Sequence, residues 1–334
     1  MGTERPKILW IGREFLASYF APHAQIVHIR SEEEAHRIND HRDADFAFCV
    51  VDTMEQHMWR RRVLRRCHQL GIPRCLWNIE DPNAFGYYVQ NVHRLDFEFV
   101  FTTDRTTIPL YARRTYRSTR VRFFKTYWLP LAASPEHHYP VPTRDDATDL
   151  VLVAQSYWYW PARRAAAQHL IVPLLKAGYS LRLFCPEGGW QEEPEIAAHR
   201  VGGECFTDTC GQHYAHGHIA LGVNCQAGLE VDTFAKTSMT SMRTFEVLAC
   251  GKPFLAYQSA AYEQLGFKKG IHFYWSRSQV EALDYAHQLR ADPALAARVA
   301  DQGRQFVLAN HTYRHRIDRI LRVIQGKAGP LEWN

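Results

Sequence analysis

Thr240-Ser241-Met242-Arg243-Thr244-Phe245-Glu246-Val247-Leu248-Ala249-Cys250-Gly251-Lys252-Pro253-Phe254-Leu255-Ala256-Tyr257 reads as helix, tight turn and buried strand. Hydroxyl residues come first, an amphipathic run of about two to three turns follows, Gly and Pro stop it, and an apolar strand begins at once. Thr240 or Ser241 can cap the orphan N–H groups of the helix start, whose positive dipole end is a ready seat for a phosphate. Arg243 and Glu246 lie three apart and share one helix face, while Phe245, Leu248 and Ala249 lean toward a core. A diphosphate is matched by the guanidinium, and a ribose diol by a carboxylate that can accept two hydrogen bonds. The plain alternative is a solvated ion pair worth a few tenths of a kcal/mol.

Working outward through the second half, Leu150 to Ala154 is an apolar strand, followed by an aromatic loop, Tyr157 to Trp160, and a helix start carrying Arg163 and Arg164. Those two arginines are candidates for phosphate contacts. Leu181 to Cys185 is the next strand and ends in Pro186-Glu187-Gly188-Gly189-Trp190, where glycine lets backbone approach a ligand. Cys205, Cys210, His213, His216 and His218 have metal-like composition, but their spacing lets only a subset converge on one ion. A strand from His218 to Val223 leads through the loop 225–239 into the opening helix. Beyond Tyr257 follow a short helix near Ala261 to Leu265, a strand at His272 to Trp275 and helices from Gln279 to Leu308.

The first half alternates strand and helix in the manner of βαβ units. Lys7 to Gly12 is the first strand, with Gly12 at the carboxyl edge where such sheets bind ligands. No G-x-G-x-x-G fingerprint accompanies it. Further strands are predicted at Gln25 to Ile29, Phe46 to Val51, Arg74 to Ile79, Phe97 to Thr103 and Phe123 to Leu131, with helix over Ser31 to Arg42. Glu80, Asp81 and Asp104 stand at strand ends and are candidate general bases, Pro82 fixing the backbone behind the first two. The competing role for Asp81 is a helix cap. Trp77, Phe85, Tyr87 and Tyr88 could stack on a sugar or a base, and His93 is a lone imidazole, more often structural. From Met54 to Leu70 a helical run carries Arg60, Arg61, Arg62, Arg65 and Arg66; its apolar members Met58, Val63, Leu64 and Cys67 can make one stripe, leaving several arginines together on the other face. Its plain meaning is a solvated face; the alternative is a dock for a phosphate-rich partner such as DNA or anionic lipid.

Residues 133–148 are polar and proline-rich without a period, and read as an interdomain connection; His137-His138 within it lacks a nearby third ligand for a metal. The division expected is therefore 1–132, a connection 133–148, a second domain 149–312 and a basic amphipathic tail helix within 313–334. With 334 residues, 46% hydrophobic and 22% charged, the chain has an ordinary globular composition, and its net charge of +5 falls short of a nucleic-acid-binding tail. No leader or bilayer-spanning apolar run is found, so a cytoplasmic location is expected. The eight cysteines are scattered, several inside apolar runs, which suits buried thiols without disulfides.

The stretch R-x-x-E-x-x-A-x-G from Arg243 to Gly251 resembles the donor-site helix of GT-B glycosyltransferases, in particular the CgeB-like group. The resemblance extends to Trp77 to Pro82, Phe99 to Asp104, Trp128 to Ala132 and His311 to Arg316. It implies an α/β fold of two Rossmann-like domains with parallel sheets facing a central cleft, and a last helix that returns to the first domain. It implies transfer of a sugar from a nucleotide diphosphate sugar, a UDP-sugar favoured, to an acceptor hydroxyl on a polysaccharide, small molecule, protein or hydroxylated DNA base. Glu246 would hold the ribose, and Arg243, Ser241, Thr240, Arg163, Arg164 and Gly12 would complete the donor contacts, with the loop 186–190 at the base. Acceptor and base would come from the first half. Many retaining members carry a second Glu eight residues before the ribose Glu; here Ser238 stands there, which leaves the stereochemistry open. No obligatory metal is expected, because the helix dipole and the arginines can stabilise a leaving diphosphate. The rival functions are a sugar-nucleotide epimerase or hydrolase of the same fold, and a non-catalytic sugar-nucleotide-binding protein. Oligomeric state is not legible.

Overall fold

Runs of four to six apolar residues bounded by turns bury both faces of a strand, which is the condition for parallel sheets covered by helices on each side. The computed structural model describes residues 5–12, 14, 16–51, 59–81, 92, 95, 97–115, 125–156, 161–203, 209–224 and 239–332. Contacts divide the chain into two compact units, Met1–Pro130 with Tyr313–Asn334, and Leu131–Thr312.

The first unit holds a six-stranded parallel sheet built from β1 (Lys7–Ile11), β2 (Gln25–Ile29), β3 (Phe46–Val51), β4 (Arg74–Asn78), β5 (Phe99–Thr102) and β6 (Lys125–Trp128), in the order β2-β1-β3-β4-β5-β6. Leu9, Ile11, Ala47, Cys49, Leu76 and Val100 point to one face and pack with Val63, Leu64 and Cys67 of the helix Trp59–Gln69. Trp10, Phe20, Phe48 and Trp77 form an aromatic cluster. Trp77 is fully buried and donates its indole N–H to Leu129 O at 2.8 Å, so it is a core side chain and not a platform for sugar. Residues 31–42, predicted as helix, form a 3₁₀ helix at Glu33–His41. One apolar side chain, Ile38, is buried there, too little for a packed α-helical stripe. The tail helix Tyr313–Ile324 belongs to this unit: Tyr313 stacks on Tyr19 at 5.2 Å and the buried Arg316 donates to Pro130 O at 2.7 Å.

The second unit holds β7 (Thr148–Val153), β8 (Leu181–Phe184), β9 (Arg200–Gly202), β10 (Gly217–Gly222), β11 (Phe254–Tyr257) and β12 (Tyr274–Ser276), all parallel, in the order β12-β11-β10-β7-β8-β9. Crossovers leave β7 toward one edge and β10 toward the other, so the crevice at the carboxyl ends of β7 and β10 is a topological switch point, where open α/β sheets bind ligands. The helix Met242–Ala249 sits behind β10 and is buried from Thr244 to Ala249. Gly303 of the helix Pro293–Asn310 lets that helix close on Leu248 and on the His272 carbonyl, contacts that a Cβ would destroy. The stretch 133–148 packs within this unit instead of spanning free: Ala133 N donates to His311 O at 2.9 Å, and Ala133, Ser134 and His138 are buried. No described helix is long and apolar enough to cross a membrane.

Candidate functional site

Ser241 caps the helix Met242–Ala249, its hydroxyl accepting from Arg243 N at 3.2 Å. Asn224, just past β10, holds the approach to that cap: its side-chain oxygen accepts from Ser241 N at 3.1 Å and from the Thr240 hydroxyl at 3.4 Å, while its amide donates to Tyr262 Oη at 2.7 Å. Thr240 also bonds Thr244 Oγ1 at 3.0 Å. The helix start is thus fixed from three elements, a requirement for preorganised binding. Arg243 donates to Glu246 Oε2 at 2.7 Å, with the Arg243 side chain 26% exposed and the Glu246 side chain fully buried. A solvated surface pair is ruled out by that burial. Glu246 Oε1 has no hydrogen-bond partner among the described residues. A buried carboxylate oxygen without a donor is costly, and a ligand hydroxyl would relieve it.

The residue that faces this oxygen was missed in the sequence. His138 Nε2 lies 3.9 Å from Glu246 Oε1, both side chains being completely buried. Ser134 N donates to His138 Nδ1 at 3.0 Å, so Nδ1 carries the lone pair and the neutral ring bears its proton on Nε2, toward the carboxylate. At 3.9 Å the two are too far apart for a direct hydrogen bond, so Oε1 stays without a donor among the described residues. Ser134 two residues after Ala132, with a histidine four beyond it, was the one available sign of a local turn. Replacing His138 by Ala is expected to raise the Kd for a nucleotide about 3- to 10-fold, the worth of one lost hydrogen bond, with His138→Gln partly restoring it by calorimetry. Cys210 and Cys250 lie below, Sγ to Sγ 3.8 Å. Their contact, burial and then the Glu246 charge push the Cys210 thiol up.

In the first unit, Asp81 follows β4 and is fully buried. Its Oδ2 accepts from Tyr111 Oη at 2.8 Å, and Tyr111 in turn takes the Asn78 amide; Oδ1 has no partner among the described residues. Burial pushes its carboxyl up to about 7, opposed by the Tyr111 and Thr102 hydroxyls and aided by the nearby charges of Asp104 and Glu80. Asp104 is committed otherwise: its Oδ1 accepts from Thr106 N at 2.9 Å and Thr106 Oγ1 at 2.8 Å, capping the turn Arg105–Thr107. Glu80 is half-buried beside them. Phe85, Tyr87, Tyr88, Pro82 and His93 lie outside the described residues.

Of the five arginines, Arg60 leaves the polar face. Arg60 occupies the buried stripe with Val63, Leu64 and Cys67, because 60, 63, 64 and 67 are successive positions of one helix face. Arg62 pairs with Glu32, and Arg66 bonds Asn39 Oδ1 at 2.8 Å and Gln69 Oε1 at 3.0 Å, leaving Arg65 exposed and Arg61 half-buried. Partners in the protein itself take up much of the charge that a DNA dock would need.

Residues 163–322 match the family described as Glycosyl transferase-like. The glycosyl transferase-like segment contains Arg163, Arg164, Thr240, Ser241, Arg243 and Glu246. Among solved structures, sucrose-phosphate synthase (tll1590) from Thermosynechococcus elongatus aligns over 97% of this chain and 100% of its own, with TM-score 0.58 and 12% identity. Anabaena Alr3699/HepE in complex with UDP aligns over 96% and 100%, with TM-score 0.59 and 9% identity. T4 phage BGT in complex with UDP and Mn2+ aligns over 96% and 99%, with TM-score 0.58 and 9% identity. At these identities the likeness shows the fold, which is GT-B. A search of curated proteins returns no match.

Within the glycosyl transferase-like segment, Arg163 is buried and Arg164 half-buried on the helix Pro161–Ala166 behind β7. Thus Arg163 and Ser241 follow the two strands that flank the switch point. That helix continues through a π-turn, Ala167–Ile171, into Val172–Lys176, where Pro173 has no N–H to donate. Trp190, expected in a ligand loop, is buried with φ 66° and donates to Ala154 O at 2.8 Å. The metal-like residues take separate partners: Cys210 meets Cys250, His213 bonds Thr209 O at 2.9 Å, His216 meets Arg182, and His218 is exposed on β10. Cys205 lies outside the described residues, as do the loop 225–238 with Ser238 and the aromatics 157–160. Asp43 and Asp45 have D-x-D spacing, but Lys7 binds both, Nζ to Asp43 at 2.7 Å and N to Asp45 at 2.7 Å, at the amino edge of β1. A cavity of about 920 Å³ lies at the amino ends of β10 and β11, lined by His218, Lys252, Pro253 and Arg304, at the opposite edge from the carboxyl-end crevice.

Proposed function

We propose that this chain is a glycosyltransferase that moves a sugar from a nucleotide diphosphate donor, a UDP-sugar favoured, to an acceptor hydroxyl. The observation that carries the reading is the fully buried Glu246, one oxygen held by Arg243 and the other open, one turn inside a capped helix start at a switch point. Ser241, Thr240 and the helix N-terminus receive the diphosphate, Arg243, Arg163 and Arg164 offset its charge, and Glu246 accepts the ribose hydroxyls. Gly12, whose N–H is taken by Ile29 O, is left out of the donor contacts. The R-x-x-E pattern supports a CgeB-like donor site.

In the transfer, a base takes the acceptor proton, the acceptor oxygen forms the new bond to the anomeric carbon, and the bond to diphosphate breaks with its electron pair on the nucleotide. Asp81 is the base best suited, because burial pushes its carboxyl up to about 7 and its Oδ1 has no partner among the described residues. Glu80 is the second candidate, and Asp104 acts through its charge on Asp81. The leaving diphosphate is stabilised by dipole and arginines without an obligatory metal.

A thermal-shift and calorimetric screen tests the donor assignment. UDP or a UDP-sugar at a hundred times its Kd is expected to add about 2.7 kcal/mol of stability, with GDP weaker. Chelation of divalent ions is expected to leave that binding and the transfer in place. Sugar released only as free hexose, with every acceptor class ignored, would point to a hydrolase instead; no shift with any nucleotide would sink the reading.

A further inference from the structure

Gly12 ends β1 with φ 107°, a conformation that L side chains rarely adopt, and its N–H donates to Ile29 O at 3.1 Å. A Cβ at this position would stand 2.7 Å from Arg60 Nη2 and 3.1 Å from its Cζ. The missing side chain is therefore what lets a guanidinium lie across the end of the strand. Arg60 enters from the helix Trp59–Gln69, which follows β3, and β3 is the neighbour of β1 in the sheet. Crossovers from β1 and β3 leave in opposite directions, so this spot is the switch point of the first unit, as Ser241 marks that of the second.

Arg60 is 7% exposed. Other arginines of this unit have counterparts: Arg30 with Glu14, Arg62 with Glu32, Arg66 with Asn39, and Arg74 with Glu98. Arg60 has no ion pair among the described residues, and its Nε has no acceptor there; its guanidinium lies against Gly12 and 5.9 Å from the centre of the Trp59 ring. A guanidinium does not shed its charge, so burying it without a carboxylate opposes folding until an anion is supplied. Its planar fork matches a phosphate or carboxylate with two parallel hydrogen bonds.

We propose that Arg60 and Gly12 form an oxyanion subsite of the first unit that takes a phosphate or carboxylate carried by the acceptor sugar. The proposal rests on the glycosyl-transfer reading, in which the donor diphosphate is held by the second unit. The acceptor is thereby narrowed from any hydroxyl to one on an anionic sugar.

Titration of the full chain with glucose 6-phosphate, glucuronate and glucose, with and without saturating UDP, tests it by ligand-observed NMR. One or both anions are expected to bind at least tenfold more tightly than glucose, and the stronger of the two identifies phosphate or carboxylate as the group recognised. Arg60→Gln is expected to weaken that anion at least tenfold with UDP affinity unchanged, Arg60→Lys to weaken it about threefold, and the exposed Arg65→Gln to leave it as in wild type. Wild type that binds neither anion better than glucose at millimolar concentration overturns the subsite. So does a folded Arg60→Gln that binds them like wild type, or one that loses UDP to the same degree, which would assign Arg60 to the donor. Should Arg60→Gln fail to fold, the wild-type ranking and Arg60→Lys decide. Failure of wild type to bind UDP at all strikes the glycosyl-transfer reading separately, since the anion titrations are also run without nucleotide.

Discussion

Asp81→Asn is expected to slow sugar transfer about 10²- to 10⁴-fold, the usual worth of a general base, while leaving the Kd for the donor unchanged. The wild-type rate should fall below pH 7, because burial holds the Asp81 carboxyl up at about 7 and only the ionised form can take the acceptor proton. That acid limb should be absent from the residual activity of the variant. The same burial has a stability consequence of definite sign. A carboxyl raised from 3.8 in the unfolded chain to about 7 in the folded one favours the protonated native state. The native state therefore carries no penalty below pH 4, loses stability as pH rises from 4 to 7, and carries the full penalty above. Three units at 1.36 kcal/mol each give a penalty of roughly 4 kcal/mol. Asp81→Asn should accordingly melt higher than wild type at pH 8 and little differently at pH 4, combining lost activity with gained stability. Persistence of the acid limb in Asp81→Asn, together with its loss in Glu80→Gln, would move the base to the neighbouring residue.

Glu246→Ala is expected to weaken UDP binding about 30- to 1,000-fold. Two hydrogen bonds from a ribose diol to a charged, water-excluded oxygen contribute about 2 to 4 kcal/mol together, within the range for charge-assisted bonds. The discriminating ligand is 2′-deoxy-UDP. If Glu246 holds the diol, wild type loses affinity for the deoxy nucleotide and Glu246→Ala does not lose it again, a coupling that a merely structural role would not give. The variant should stay folded, because Arg243 is 26% exposed along its side chain and can return to solvent once its partner is gone. Equal discrimination by both proteins would place the ribose elsewhere.

Much of the fold was legible because its signals are local. Ile8 to Ile11, Phe46 to Val50, Cys75 to Trp77 and Leu150 to Val153 are apolar and buried on both strand faces, which a covered parallel sheet accommodates. The alternation with helices then fixed α/β architecture. The second-unit site was legible for a similar reason. Cap, i,i+3 spacing and Gly-Lys-Pro stop are contained in one short window, and Ser241, Arg243 and Glu246 fall where that window puts them. Trp77 was misread because what decided it was the packing partner, not the period.

By itself the sequence determined two α/β units with parallel sheets and a Ser-capped helix start with a cation and an acid on one face. Tertiary structure alone decided which charges are buried: His138 brought to 3.9 Å from Glu246 out of a proline-rich stretch, Asp81 raised to about 7, and Arg60 turned inward onto Gly12. Periodicity reports which face of an element a residue occupies, whereas desolvation depends on what distant chain covers that face, and desolvation is what turns an ordinary carboxylate or guanidinium into a binding or reacting group.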